Sequence, residues 1–219
     1  MKKLDFEIYS FNQATFFPHG RVKLKLQIII ILLEAMRYVM SYSESLGEGV
    51  KSTGKLSVVV DKMSRVVFST ENKYYSIVLP FYVNSDGDQI QFYHKSELID
   101  SKLLSNLMTV LKSDSFNSRN SLDFSDSVID LENENEMLWV ILQDLLLYED
   151  GYIRYDVDEE SYLKAKEKGC EHSHPLNHCD LFYSSNAAFK VGLDKFMEVD
   201  EFIDVLNIRT DCKYLRNWR

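Results

Sequence analysis

The sequence predicts an α+β fold, with a mainly antiparallel sheet, a long N-terminal core helix and helices packed on one face. Three observations predict it. An apolar stripe at helical spacing occupies residues 22–42. Runs rich in Val, Ile, Tyr and Phe, separated by turn residues at hairpin distance, fill residues 55–94. From residue 96 to residue 207, helical and strand periods then alternate, the pattern of a sheet with helices attached.

Composition bounds the chain to this class. Of 219 residues, 45% are apolar and 13% aromatic, with eight Gly and three Pro, a balance that forms a packed core and excludes a disordered or collagenous chain. The expectation is a single domain over residues 1–219. Twenty-five Lys and Arg stand against 34 Asp and Glu, for a formal charge of −9. Such a field repels polyanions, which argues against double-stranded DNA and leaves a nucleotide or single-stranded nucleic acid only through a local basic patch. Three Cys make no disulfide framework, and no secretory series opens the chain, so a reduced, cytoplasmic protein is expected. No membrane span is expected either, because the apolar run at residues 28–33 is interrupted by Lys25, Gln27, Glu34 and Arg37.

Taken in order, Leu26, Ile29, Ile30, Leu33 and Met40 keep helical spacing through residues 22–42, with Lys23, Lys25, Gln27 and Glu34 off the stripe. Phe16, Phe17 and Pro18 before it read as a staple at the helix entry, with His19 beside them. Residues 55–60, 65–70, 73–83 and 89–94 read as successive strands of an antiparallel meander. Their turns are Asp61 to Ser64, Glu71-Asn72 and Asn84 to Asp88; the last is hairpin chemistry and lacks the closing Glu of a calcium loop. Ser96 is expected to cap a helix running to residue 111, with Leu98, Leu107 and Leu111 on one face. The Ser, Asn and Asp rich residues 113–127 read as a flexible connector. A helix with an acidic start at Glu132, Glu134 and Glu136 then runs to about Tyr148. Residues 152–158 alternate as a strand that places Arg154, Asp156 and Asp158 on one face. A surface helix at 160–169, strands at 179–184 and 188–193 and a helix at 199–207 complete the reading. Gly47-Glu48-Gly49 is not a nucleotide loop, and the basic and aromatic residues 211–219 read as a tail packed on the core.

The chemistry concentrates in residues 170–180, which hold three of the five His and two of the three Cys. One reading is zinc: Cys170, His172, His174, His178 and Cys179 offer thiolate and imidazole ligands, although no Cys-x₂-Cys spacing accompanies them. A second reading is an acid–base site. If a strand carries His178, then His178 and Asp180 share a face and Cys179 points the other way. Set beside the Arg154, Asp156 and Asp158 face, that arrangement supplies a base, an orienting carboxylate and a cation, as phosphodiester cleavage requires. A third reading makes the same residues a structural polar network joining two strands.

Arg154-x-Asp156-x-Asp158, then His174-Pro175-x-x-His178 leading into a strand, then Lys190-Val191-Gly192 and a closing helix with Phe202-Ile203, follow one another in order. This series resembles the C-terminal part of a bacterial family known only as a domain of unknown function, over about a quarter of the chain. In that family the basic position is usually Arg and the second His precedes an apolar residue, where this chain has Lys190 and Cys179. The resemblance implies that Arg154, Asp156, His174, His178 and Lys190 form one site, and it carries no activity. Two functions follow. One is a small hydrolase or phosphodiesterase in which His174 or His178 is the acid or base, Asp156 or Asp180 orients it, and Arg154 and Lys190 bind phosphate. The other is a non-catalytic interaction component of a bacterial defence or toxin–antitoxin system, with a protein partner from the same operon and a structural His/Asp cluster.

Overall fold

The computed structural model describes residues 1–19, 22, 24–43, 49–85, 90–116, 118, 123, 125, 128–129, 135–184 and 187–213, the side chains of 182–184, 187 and 188 excepted. Helices and strands are mixed, and a seven-stranded, mainly antiparallel sheet dominates. The chain forms two compact units. The first comprises Met1–Glu7, Thr53–Val78 and Gly151–Arg219, and the second Ile8–Ser52 and Leu79–Asp150.

The first unit contains the large sheet. Its strands are β1 (Lys2–Tyr9, whose last two residues belong to the second unit), β2 (Ser52–Val60), β3 (Arg65–Ser69), β4 (Lys73–Val78), β8 (Ile153–Val157), β9 (Asn177–Ser184) and β10 (Ala187–Leu193), and they lie side by side in that order. Strand β1 was not expected, although Leu4, Phe6 and Ile8 alternate with Lys3, Asp5 and Glu7 at the strand period. The turn from β2 to β3 is pinned by the Asp61 side chain, which accepts from the Lys62 N–H at 2.7 Å. Helices α5 (Glu159–Glu167) and α6 (Val199–Val205) complete the unit. Phe202 and Ile203 of α6 pack on one sheet face against Val59, Val67, Tyr74, Tyr155 and Cys179. The Tyr155 hydroxyl stays satisfied there, donating to Asn177 Oδ1 and accepting from the Met197 N–H, both at 3.0 Å.

The second unit contains α1 (Gln13–Phe16), α2 (Lys25–Met40), α3 (Ser101–Lys112) and α4 (Met137–Leu147), with a small antiparallel sheet of β5 (Tyr82–Asn84), β6 (Gln91–His94) and β7 (Glu97–Ile99). Helix α2 buries Ile28, Ile29, Leu32, Leu33 and Met36 and packs on α3 and α4. Glu34 was assigned to the outer face but is buried. Arg37 pairs with it from the next turn, and Lys112 of α3 reaches it at 2.9 Å, which lets the carboxylate stay inside.

Two of the boundaries that differ from expectation have a local cause. The run at residues 73–83 is two strands in two sheets, divided at Leu79-Pro80-Phe81, because Pro80 has no N–H for a ladder. Ser96 does not cap α3. It sits in the β6–β7 hairpin, Leu98 belongs to β7, and the cap is Asp100, whose carboxylate accepts from the Leu103 N–H at 2.7 Å. The turn centred on residues 86–88, most of the connector at 113–127, Glu132, Glu134 and the tail from residue 214 lie outside the described residues. No helix among the described residues is long and apolar enough to cross a membrane. Asp100→Ala should lower the unfolding free energy by about 1 kcal/mol through loss of this cap, whereas Ser96→Ala should stay within about 0.5 kcal/mol of the native chain; urea unfolding of the two variants distinguishes the caps.

Candidate functional site

The candidate site is assembled by register. Strand β8 pairs with β9 so that Arg154 faces Asp180 and Asp156 faces His178, and β10 pairs with β9 so that Lys190 faces Asp180 and Gly192 faces His178. Because directly opposed residues share a sheet face, alternation within the strands and the two pairings bring five dispersed polar residues together. On the far side of β8, Tyr75 of β4 faces Arg154 and Lys73 faces Asp156.

The contacts are short and saturating. Arg154 Nε donates to Asp156 Oδ2 and its Nη2 to Asp180 Oδ2, each at 2.5 Å. Lys190 Nζ donates to Asp180 Oδ1 and to His178 Nε2, each at 2.8 Å. His178 Nδ1 lies 2.9 Å from the Pro175 carbonyl. A carbonyl only accepts and an ammonium only donates, so Nδ1 carries the proton and Nε2 is the bare acceptor: the imidazole is neutral. His178 is 1% exposed and Asp180 4%, while the Lys190 side chain keeps 25% of its surface open.

The titration of the cluster follows from this geometry. Burial, and after it the Lys190 ammonium, hold the His178 pKa below its ordinary 6.5 against the pull of the Pro175 carbonyl and the two carboxylates. Burial would raise Asp180, but the hydrogen bond from Lys190 and the Arg154 charge outweigh it and leave its carboxyl below the ordinary 3.8. Burial also pulls on Arg154, yet Asp156, Tyr152 and Asp180 raise its pKa. Tyr152 is pushed up to about 12, chiefly by burial, and stays a neutral phenol beside these charges.

Pro175 sits over His178 because residue 192 is glycine. A Cβ at Gly192 would stand 2.8 Å from Pro175 Cγ, so a larger residue opposite His178 would displace the carbonyl that fixes the tautomer. Neither Pro175 nor Gly192 was read as part of a site, although both belong to motifs visible in the chain. His174 stands edge-on to His178, with centroids 4.9 Å apart, and its Nε2 is 3.6 Å from Asp158 Oδ2. Asp158 itself leaves the strand face and caps α5, accepting from the Ser161 N–H at 3.0 Å.

The five proposed zinc ligands do not gather. Cys179 points to the opposite face, among Tyr155, Phe202 and Ile203, where burial pushes its thiol up to about 11. Cys170 is exposed with its thiol on the Ala165 carbonyl, and the His172 side chain is 98% exposed. Among the described residues, the set whose ligand atoms converge is Asp156, His178 and Asp180, within 4.8 Å of one another. These three could hold a divalent ion, but the Lys190 ammonium already bridges two of them and Arg154 the two carboxylates.

Comparison with known proteins returned no matching family model, no matching curated protein and no matching solved structure. The chemistry of the cluster therefore rests on its geometry.

His178 and Asp180 both weaken the fold on the acid side. His178 binds a proton more readily in the unfolded chain, so its contribution is complete above about pH 6.5 and declines as the pH falls towards its lowered folded value. Asp180 contributes fully above about pH 3.8 and loses its share below that. Urea unfolding from about pH 8 to about pH 5 should therefore show stability falling below about pH 6.5 in the native chain, and a shallower fall in His178→Gln, whose amide can accept from Lys190 without titrating. Equal slopes for the two proteins would contradict the assignment.

Proposed function

We propose that this chain is a non-catalytic interaction component of a bacterial multi-protein system, such as a defence or toxin–antitoxin module, and that the Arg154, Asp156, His178, Asp180 and Lys190 cluster is structural, tying β8, β9 and β10 into one register. The observation that supports a structural role for the cluster, and so favours a non-catalytic chain, is internal compensation: Arg154 and Lys190 meet two carboxylates, and the neutral His178 has both ring nitrogens engaged. A phosphate arriving here would find both cations committed and two carboxylates at contact distance, so it would have to replace buried ion pairs that cost several kcal/mol to break. A general base needs a free lone pair within reach of substrate, and the Nε2 lone pair of His178 is bound to an ammonium.

One contact favours the second reading, a hydrolase acting on nucleotide or nucleic-acid phosphate. Lys190 is the most exposed of the five residues, and swinging it outward would uncover His178 Nε2 and Asp180 together. The two readings separate on one pair of measurements. The structural reading predicts no cleavage of bis(p-nitrophenyl) phosphate above the buffer rate, and a loss of about 1–3 kcal/mol of stability in Lys190→Ala, which removes the donor to Asp180 Oδ1 and to His178 Nε2. Phosphodiester cleavage abolished by His178→Gln at unchanged stability would overturn it.

A further inference from the structure

The small sheet of the second unit has two unlike faces. Val83, Phe92 and Ile99 stand opposite one another across β5, β6 and β7 and are all buried. Alternation turns their neighbours outward, and there Tyr82 opposes Tyr93 and Tyr93 opposes Leu98. Tyr82 keeps 68% of its surface exposed and Leu98 45%, so two aromatic rings and a leucine form an open row across three strands. Asn84 and Gln91, also opposed, lie beside that row on the same face.

Charge, ring geometry, donors and length together choose the occupant. No Asp, Glu, Lys or Arg of β5, β6 or β7 shares this face, so nothing on it holds the phosphates that stacked nucleotide bases bring with them. The Tyr82 and Tyr93 rings have centroids 6.4 Å apart and are inclined at 60°, which makes a trough and not the flat platform on which a sugar ring lies. Gln91 Oε1 accepts from the Tyr93 hydroxyl at 2.9 Å, which leaves the Gln91 amide N–H groups to donate outward. The side chains of Tyr82 and Asn84 make no hydrogen bond among the described residues. A run of prolines offers carbonyls and no N–H, so it asks for donors alone, and one hydroxyl and two amides supply them. Neighbouring strands lie about 4.8 Å apart, so the row from Tyr82 to Leu98 spans about 10 Å. A polyproline II helix repeats every three residues, about 9 Å, and sets residues i and i+3 over the two ends of that row.

We propose that the outer face of β5, β6 and β7 binds an extended proline-rich segment of a partner protein, with one proline in the Tyr82–Tyr93 trough, another three residues away over Leu98, and Tyr82, Asn84 and Gln91 donating to its carbonyls. This gives a partner chemistry to the interaction component proposed above and rests on that reading, while using none of the residues of the β8–β10 cluster.

The test is an amide-resolved NMR titration of the full chain with a proline decapeptide, a Gly-Ser decapeptide and maltohexaose. The proline peptide should shift the Tyr82, Tyr93 and Leu98 amide signals saturably, and the other two probes should not. Tyr82 is too exposed to support the core, so Tyr82→Ala should stay folded and bind the proline peptide at least about tenfold more weakly, the loss expected when an aromatic anchor is truncated. Equal binding of the Gly-Ser peptide, saturable binding of maltohexaose in place of the proline peptide, an affinity unchanged in Tyr82→Ala, or no saturable shift with the proline peptide would overturn the proposal. Such a failure strikes this surface alone, because the non-catalytic reading of the chain falls to phosphodiester cleavage and not to this titration.

Discussion

The Lys190 ammonium, held between the Asp180 carboxylate and the bare nitrogen of His178, is the contact on which the polar face of the large sheet depends. Without it, Asp180 would keep Arg154 alone as a counter-charge and His178 would present an unsatisfied acceptor at 1% exposure. Both conditions are costly in a low-dielectric setting. With it, the ionisation of three members of the cluster is set by their neighbours and by burial. Burial and Lys190 keep His178 neutral; Lys190 and Arg154 keep Asp180 ionised; the carboxylates keep Arg154 charged.

The same face shows how such a set is accommodated. A single cross-strand row runs Leu56, Phe68, Tyr75, Arg154, Asp180 and Lys190 from β2 to β10. It begins apolar and ends charged, and Tyr75 stands at the change, stacked on Phe68 at 4.5 Å and opposite Arg154. On the reverse face, Tyr74, Tyr155, Cys179 and Phe202 form an apolar cluster. A one-residue slip in β8 or β9 would carry Asp156 or His178 into that cluster and Tyr155 or Cys179 out of it. The charges therefore specify register: the correct pairing satisfies every one of them and the slipped pairing strands several.

Much of this was legible in the chain. Alternation alone placed Arg154 with Asp156 and His178 with Asp180, and the α+β class followed from the two periods. The alternation also set Cys179 opposite His178, which already told against a shared zinc shell. What the sequence could not supply was adjacency. Asp156 and His178 are 22 positions apart with a helix between them, and only pairing of β8 with β9 makes them neighbours. The role of Gly192 depends on a third strand, and the Pro175 carbonyl on the turn that this glycine admits. Elsewhere the limits were local. Ser96 and Asp100 are both good helix caps, and a two-residue hairpin turn decided between them.

The central claim is that the cluster is a coupled structural unit, and a double-mutant cycle on Arg154→Met and Asp180→Leu measures that coupling directly. Each single change should cost about 3–5 kcal/mol of unfolding free energy by breaking a buried ion pair and leaving its remaining partner short of one counter-charge, and the double variant should lose clearly less than the sum, by more than about 1 kcal/mol. Additive losses, or single variants as stable as the native chain, would contradict the account.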